Sequence, residues 1–314
     1  MGDEQRQRLD DGHAPLRLAL YRCPSLARSG AFTSATTSSP RTSATAASRR
    51  AASLTTLDLG GNEFTGAVPA SLSKLRNLAL GNNRLAGGIP AELGELTGLQ
   101  RLSLGHNPFD HGELPASFNN LTALVSLCAD QCNLVGGFPS YVVDNMPELR
   151  FLDVSNNDLS GKIPASIGRR LPSLAVLCLQ GNRLTGALPP ELGKHSPCLS
   201  DVDVSDNELT GVIPDGLCAG GNLQYFRACR NRLNGSIPIG LARCATLQEL
   251  ELDGNQLVGD VPEVMWTATL LTWVSLRNNQ LTGGLPTVLS SELVLLDVGN
   301  NRFVGSILAV AADS

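Results

Sequence analysis

The sequence predicts an α/β solenoid, in which one short structural unit is repeated along a single elongated domain. The first observation is a phrase, Leu-x-x-Leu-x-Leu-x-x-Asn, that begins at Leu54 and occurs eleven times at intervals of 21 to 25 residues. The second is a proline that follows the phrase in ten of the eleven copies. The ninth position of the phrase falls at Asn62, Asn83, Asn107, Cys132, Asn157, Asn182, Asn207, Asn231, Asn255, Asn279 and Asn301.

Each copy of the phrase predicts one strand of a parallel sheet. Its three leucine positions are expected to point inward, and burial of each contributes roughly 1.5–3 kcal/mol, so a stack is stable although a single repeat is not. Alternation of apolar and polar residues over the middle of the phrase is typical of a short strand. The asparagine turns the chain, and its amide is expected to satisfy backbone groups of the turn and of the next coil.

A second phrase, Leu-x-Gly-x-Ile-Pro, follows the asparagine, as at Leu184–Pro189 and Leu209–Pro214. Glycine permits a tight backbone, and proline ends any strand ladder. The segment after it, such as 91–96, predicts a short helical or 3₁₀ turn. The whole pattern predicts a right-handed leucine-rich repeat superhelix over residues 54–308, with a parallel β-sheet on the concave face and short 3₁₀ or helical turns on the convex side.

This Leu-x-Gly-x-Ile-Pro insert resembles the plant-specific class of leucine-rich repeats found in the ectodomains of receptor-like kinases. Within that class, four stretches resemble the HAESA-like receptor kinases. They are Asn107-Pro108-Phe109, Gly216-Leu217-Cys218-Ala219-Gly220-Gly221, Leu241-Ala242-Arg243-Cys244 and Trp266-Thr267-Ala268-Thr269. The resemblance implies a module that binds a secreted peptide hormone on its concave face and is then joined by a co-receptor kinase.

Residues 1–53 differ in kind from the repeats and are predicted to be a low-complexity, disordered region. The stretch 28–53 consists mainly of Ser, Thr, Ala and Arg and contains no acidic residue. Three interpretations stay open: a disordered tail, an organellar transit peptide, and a disrupted twelfth repeat whose remnant is Leu20–Leu26. Residues 309–314 are expected to form a short tail.

Several other protein classes are not indicated. We find no pattern of a secretory signal, a membrane span or a kinase domain. The net charge of -5 argues against a nucleic-acid partner. The four histidines are scattered and the eight cysteines form no Cys-x-x-Cys pair, so neither a metal site nor a cofactor is expected. No catalytic constellation appears, and the chain is predicted not to be an enzyme.

Two cysteines are placed where a disulfide could form. Cys218 and Cys244 follow the prolines of consecutive repeats by four and six residues. Neighbouring coils stack about 5 Å apart, a separation compatible with disulfide geometry. The alternative is a pair of buried thiols in leucine positions.

The third, fifth, seventh and eighth positions of the phrase are expected to face the concave side, where such scaffolds bind their partners. Aromatic and charged residues accumulate there in repeats five to ten, and aromatic and arginine side chains are frequent hot spots. The alternative is that exposed strand positions are polar for solubility alone. The predicted ligand-binding residues are Phe151, Asp201, Asp203, Tyr225, Arg227, Glu249, Glu251, Trp273 and Arg277.

Repeat nine departs from the HAESA-like pattern. The resemblance implies an Arg-x-Arg pair that holds the carboxylate of the peptide's C-terminus, but this chain has Glu249-Leu250-Glu251 at that place. Two carboxylates repel such a C-terminus. The ligand is then basic, or has no free carboxylate there, or is absent.

Taken together, the sequence predicts a non-catalytic peptide- or protein-binding module that is extracellular or associated with the plasma membrane. Its partners are expected to be a peptide or protein ligand and a co-receptor kinase ectodomain. Two sequons, at Asn120 and Asn234, are candidate glycosylation sites. The alternatives are a soluble cell-wall inhibitor resembling polygalacturonase-inhibiting proteins and a truncated, non-functional receptor fragment.

Overall fold

The computed structural model describes residues 54–66, 74–286 and 288–306. Within these residues, one short strand from each repeat joins a single parallel sheet of eleven strands. Strands are numbered in chain order across both sheets of the fold. The eleven are β1 (Thr56–Asp58), β2 (Asn77–Ala79), β3 (Arg101–Ser103), β4 (Ser126–Cys128), β5 (Phe151–Asp153), β7 (Val176–Cys178), β9 (Asp201–Asp203), β11 (Tyr225–Arg227), β13 (Glu249–Glu251), β15 (Trp273–Ser275) and β17 (Leu295–Asp297).

A second parallel sheet follows the asparagine turns of repeats five to ten. Among the described residues it has six strands: β6 (Ser160–Lys162), β8 (Arg183–Ala187), β10 (Glu208–Gly211), β12 (Arg232–Gly235), β14 (Gln256–Asp260) and β16 (Gln280–Thr282). The Leu-x-Gly pattern predicts only a tight turn, so this sheet was not predicted. Solenoid stacking explains it, because each short extended segment meets its copy in the neighbouring coil.

The inward positions of the phrase build one continuous hydrophobic core. In repeat seven Leu199 is 2% exposed, and Val202 and Val204 are fully buried. The equivalent residues from Leu75 to Leu276 belong to a single cluster. Because each coil buries its apolar residues against the coils before and after it, the predicted leucine-rich solenoid with a parallel sheet is confirmed.

The asparagines form the internal ladder that the sequence predicts. Asn157 donates through Nδ2 to the carbonyl oxygens of Ala129 at 2.9 Å and Val154 at 3.0 Å. Its Oδ1 accepts the backbone N–H of Leu134 at 2.9 Å. At Cys132, the thiol donates to two carbonyl oxygens at 3.4 Å but offers no acceptor equivalent to Oδ1.

The eighth position of every repeat has a left-handed backbone conformation, with φ between 48° and 70°. Glycine, asparagine and aspartate tolerate this conformation better than other residues. They occupy most copies of the position, whereas Gln131 and Arg230 adopt φ values of 49° and 48° without that tolerance. The turn after each strand is therefore imposed by the stack even where the local residue disfavours it.

The convex side carries short helical turns. They are the 3₁₀ helices Ala91–Glu95 and Ala116–Asn120, and the α-helices Ser140–Asn145, Ile167–Arg170, Ile239–Ala242 and Glu263–Trp266. The turn expected over 91–96 is thus confirmed as a 3₁₀ helix. No helix in the described part of the chain has the length and hydrophobicity that crossing a membrane requires.

A disulfide joins two neighbouring coils on this side of the solenoid. Cys218 and Cys244 are bonded, with their Cα atoms 5.8 Å apart. Among the described residues, Cys132, Cys178, Cys198 and Cys229 are free. The predicted low-complexity region 1–53, the end of the repeat array at 307–308 and the tail 309–314 lie outside the described residues.

Candidate ligand-binding face

The concave face consists of the side chains at positions 3, 5 and 7 of the phrase in successive repeats. Side chains alternate along a strand, so positions 3 and 5 share one face of the sheet. In-register pairing then aligns the same positions of neighbouring repeats, as with Tyr225 between Asp201 and Glu249. The nine predicted ligand-binding residues all fall on this face: Phe151, Asp201, Asp203, Tyr225, Arg227, Glu249, Glu251 and Trp273 on β5, β9, β11, β13 and β15, and Arg277 two residues beyond β15.

The three predicted aromatic anchors are partly exposed but separate from one another. Phe151, Tyr225 and Trp273 all occupy position 3. Phe151 and Tyr225 are three strands apart, and Tyr225 and Trp273 are two strands apart. At about 4.8 Å per strand, these separations are roughly 14 and 10 Å. The rings therefore offer separate contacts along the face and do not form one aromatic cluster.

Arg227 is held by ion pairs within the protein. Its Nε donates to Oε1 of Glu249, and its Nη1 donates to Oδ1 of Asp201 at 3.1 Å. Its guanidinium carbon also lies 5.2 Å from the centre of the Tyr225 ring. Because the Arg227 side chain is only 7% exposed, its charge is compensated inside the face. Arg227 therefore holds the position-3 side chains of Asp201, Tyr225 and Glu249 in place, and it is not an exposed anchor for an anion.

The other two arginines of this region are also paired with acidic residues. Arg230 donates from Nε and Nη2 to the two carboxylate oxygens of Asp206. Arg277 lies 3.5 Å from Asp297. Both pairs are solvent-exposed, so each contributes at most about 1 kcal/mol to stability. None of the three arginines presents an uncompensated positive charge.

Several carboxylates of the face are buried. Asp153 is 5% exposed and Asp203 is 8% exposed. Burial, with repulsion by Asp130, raises the pKa of Asp153 to about 7. Burial, with repulsion by Asp203, raises the pKa of Asp201 to about 7. Burial likewise raises the pKa of Asp203 to about 6.

Hydrogen bonds to serine hold two of these carboxylates without neutralising them. Oδ1 of Asp153 accepts the backbone N–H of Ser155 at 3.0 Å and its hydroxyl at 2.7 Å. Oδ1 of Asp203 accepts the backbone N–H of Ser205 at 3.0 Å. Within the described residues, neither Asp153 nor Asp203 has a lysine, arginine or histidine nitrogen within ion-pairing distance.

Cys178 lies between these two aspartates in the sheet. It pairs in register with Asp153 on one side and Asp203 on the other. Burial and the surrounding carboxylates raise the pKa of its thiol well above the usual value, so it stays protonated. Asp153 and Cys178 were not among the predicted binding residues. The signal that could have identified them is the series Asp, Cys, Asp at position 5 of repeats five to seven.

Three side chains of types that can ligate a metal lie close together in repeats eight and nine. The ligand atoms of Cys229, Glu251 and Asp253 lie within 4.8 Å of one another. Hydrogen bonding accounts for the arrangement, since the Cys229 thiol donates to Oε2 of Glu251 at 3.6 Å. Burial and the carboxylates of Asp253 and Glu251 raise the pKa of this thiol, which keeps it a donor.

The two glutamates of repeat nine differ in surroundings. Glu249 is compensated by Arg227, whereas Glu251 is buried at 7% exposure and pairs in register with Arg227 and Ser275.

The candidate glycosylation residues lie away from the concave face. Asn120 is exposed at the end of a 3₁₀ helix, and Asn234 is exposed on β12.

Comparison with known proteins identifies the repeats. The leucine-rich repeat family model matches residues 53–75, 74–96, 98–121, 148–169, 173–195 and 270–291, and a second leucine-rich repeat model matches 243–261. Among curated proteins, the receptor-like kinase TMK2 of Arabidopsis thaliana is 34% identical over 94 residues, which are 29% of this chain and 11% of that protein.

Solved structures of plant receptors share the fold over most of the chain. A TDR receptor is 35% identical with a TM-score of 0.75, and the plant peptide hormone receptor RGFR1 in complex with RGF2 is 33% identical with a TM-score of 0.76. Each alignment covers 82% of this chain and 45% of the receptor. A plant ice-binding protein is 27% identical with a TM-score of 0.58, covering 79% of this chain and 73% of that protein. The chain thus spans less than half the length of the receptors it resembles.

Proposed function

We propose that the concave face of repeats five to ten binds an extended peptide or protein segment, as a non-catalytic recognition module of the receptor-kinase ectodomain kind. The observation that carries this proposal is the row of partly exposed aromatic residues at position 3. Phe151, Tyr225 and Trp273 stand on strands of one sheet, with buried polar groups between them. An extended ligand that crosses the strands meets these anchors in turn.

The rigidity of the scaffold supports the same function. Each strand of the face is paired in register on both sides from β2 to β15, so the positions of the anchors are set by the stack. Rigid presentation lowers the entropic cost of binding. The similarity to RGFR1, a peptide hormone receptor solved with RGF2, supports a peptide as the ligand class.

The module is proposed to work outside the cell, at the plasma membrane, and to be joined by a co-receptor kinase ectodomain once the ligand is bound. The Cys218–Cys244 disulfide supports an oxidising compartment. Exposed sequons at Asn120 and Asn234 lie where glycans leave the concave face free. The narrower HAESA-like assignment belongs to the same proposal and rests on the sequence motifs alone.

The experiment is selection of a random dodecapeptide phage library on the purified chain, followed by binding measurements on synthetic versions of the enriched peptides. Tyr225→Ala and Trp273→Ala are each expected to weaken binding at least about tenfold, because aromatic anchors are common hot spots. Tyr141→Ala removes an aromatic residue from the convex side and serves as the matched control, with affinity unchanged. Enriched peptides that bind both concave variants as tightly as wild type would refute the proposal.

A further inference from the structure

We propose that the ligand of this face inserts a basic side chain between Asp153 and Asp203, over Cys178. This inference rests on the proposed function and names the ligand chemistry that the same face selects. It commits to a cationic segment of an extended peptide, with arginine as the side chain that fits best. Three independent features of the described residues lead to it.

The first feature is the distribution of charge along the face. At positions 3, 5, 7 and 8, repeats one to three carry one aspartate and one arginine. The same positions of repeats four to nine carry eight acidic residues and two arginines. The acidic residues are Asp130, Asp153, Asp201, Asp203, Asp206, Glu249, Glu251 and Asp253. The excess of negative charge is therefore confined to the centre of the face, where the field favours a cation.

The second feature is that, within the described residues, the two arginines leave Asp153 and Asp203 without a counter-charge. Arg227 is directed to Asp201 and Glu249, and Arg230 is directed to Asp206. In the part of the chain that the structure describes, Asp153 and Asp203 receive hydrogen bonds from serine only, although both are more than nine-tenths buried. A buried carboxylate without a counter-charge is unfavourable, and a cationic ligand relieves that cost.

The third feature is an amide acceptor in the repeat that separates the two aspartates. Gln180 is two residues beyond Cys178, in the repeat between those of Asp153 and Asp203. Its Oε1 atom is buried and has no hydrogen-bond donor within the described residues. Gln180 belongs to the same row as Ser155 and Ser205, which hold the two carboxylates. The site thus places an amide oxygen without a donor between two carboxylates without a counter-charge, and a guanidinium has five N–H donors in a planar fork.

The spacing also fits one organic cation better than one metal ion. Asp153 and Asp203 are separated by a single intervening strand, so their backbones are roughly 10 Å apart. A metal ion needs its oxygen ligands at about 2–2.6 Å, which requires closer carboxylates. A guanidinium centred over the small Cys178 side chain reaches toward both neighbours.

The test uses the peptides recovered from the dodecapeptide library described above. We expect arginine or lysine in the peptides whose binding depends on Tyr225 or Trp273, and we expect replacement of that residue by citrulline to weaken binding about tenfold or more. Citrulline keeps the shape of arginine and removes its charge. The variant Asp153→Asn/Asp203→Asn should weaken the arginine peptide by a similar factor and leave the citrulline peptide unchanged.

A matched control and a separate readout keep the two proposals apart. Asp144→Asn/Glu148→Gln removes the same number of charges from the exposed convex side and should leave affinity unchanged. In the Asp153→Asn/Asp203→Asn variant, the new amide oxygens can still accept the hydrogen bonds from Ser155 and Ser205. Circular dichroism checks that this variant folds. Recovery of no peptide that depends on the concave face contradicts the proposed function and this inference together. Face-dependent peptides without a basic residue, or with equal affinity for the Asp153→Asn/Asp203→Asn variant, overturn only this inference.

Discussion

At the scale of single residues, the eighth position of the repeat shows how the stack overrides local preference. Gln131 is exposed and has a φ of 49°, a conformation that costs a residue with a Cβ about 1–2 kcal/mol. Its backbone N–H nevertheless donates to the carbonyl oxygen of Ser155 at 3.1 Å, as the ladder requires. The residue is held in this conformation by its neighbours.

We therefore expect Gln131→Asn to raise the free energy of unfolding by about 0.5–1 kcal/mol, because asparagine tolerates the left-handed region. Urea denaturation followed by circular dichroism measures this difference. Gln256→Asn is the matched control, since Gln256 is exposed on strand β14, where asparagine is unfavourable. An equal or lower stability of Gln131→Asn would contradict the account.

The buried aspartates make the stability of the fold depend on pH. In the unfolded chain their pKa is about 3.9. In the folded chain, burial raises the pKa of Asp153 and Asp201 to about 7 and that of Asp203 to about 6. A raised folded-state pKa means that the folded protein binds protons more tightly. Stability from these groups is therefore complete below about pH 4 and is lost as the pH rises through about 7.

We expect Asp153→Asn to stabilise the chain more at pH 8 than at pH 4.5, because it removes the cost of ionising a buried carboxylate. At about 1.4 kcal/mol per pH unit, the ceiling for this residue is about 4 kcal/mol. Urea denaturation at the two pH values measures the difference, with Asp144→Asn on the exposed convex side as control. Destabilisation by Asp153→Asn that is larger at pH 8 would show that the carboxylate is compensated in the folded protein.

The ion pairs between side chains of the face could not be derived from the sequence. Arg227 was expected to be a ligand anchor, and its position on the face follows from the repeat register. Its partners Asp201 and Glu249 lie in neighbouring repeats, and which acid an arginine meets depends on side-chain conformation across strands. The repeat period determines the strand position of each residue, but it does not determine which acidic residue pairs with a given arginine.

At the scale of elements, the convex disulfide has a measurable role. It joins cysteines 26 residues apart and so links repeats seven and eight. Closing a loop of this size restricts the unfolded chain and typically contributes about 2–4 kcal/mol. The loss is concentrated in the two repeats that it joins, because solenoid coils contact only their neighbours.

We expect Cys218→Ala/Cys244→Ala to lower the free energy of unfolding by about 2–4 kcal/mol, and a thiol reductant, which also acts on the disulfide of Cys128, to lower that of the wild-type protein by at least as much. Guanidinium denaturation with and without reductant measures both. Cys198→Ala, which removes an exposed free thiol, should have no effect. Identical midpoints for the oxidised and reduced wild-type protein would show that the bond does not stabilise the fold.

The two sheets differ in how far the sequence predicts them. The eleven-stranded sheet follows from alternation within the phrase, which repeats at every copy. The second sheet comes from segments such as Arg183–Ala187 and Glu208–Gly211, each with a glycine that ordinarily weakens a strand. Here the neighbouring coil supplies the hydrogen bonds, so the strands depend on stacking and not on local propensity.

At the scale of the whole molecule, the repeat period alone predicts the solenoid, its continuous core and the face that its side chains present. The period also assigns Phe151, Tyr225 and Trp273 to one face. It does not say that Asp153 and Asp203 are buried without a counter-charge from the described residues, because burial depends on how neighbouring side chains fill the space above the sheet. The proposal of a basic ligand therefore rests on the structure more than on the motif.

The proposed function requires that the ligand binds the concave face between β5 and β15. Photo-crosslinking tests it most directly: a library-selected peptide carrying benzophenone is irradiated with the full chain, and the attachment sites are mapped by mass spectrometry. We expect attachment to residues of the concave strands from Phe151 to Trp273, with loss of cross-links when unlabelled peptide competes. Competed cross-links confined to the six-stranded sheet or to the convex helices would contradict it.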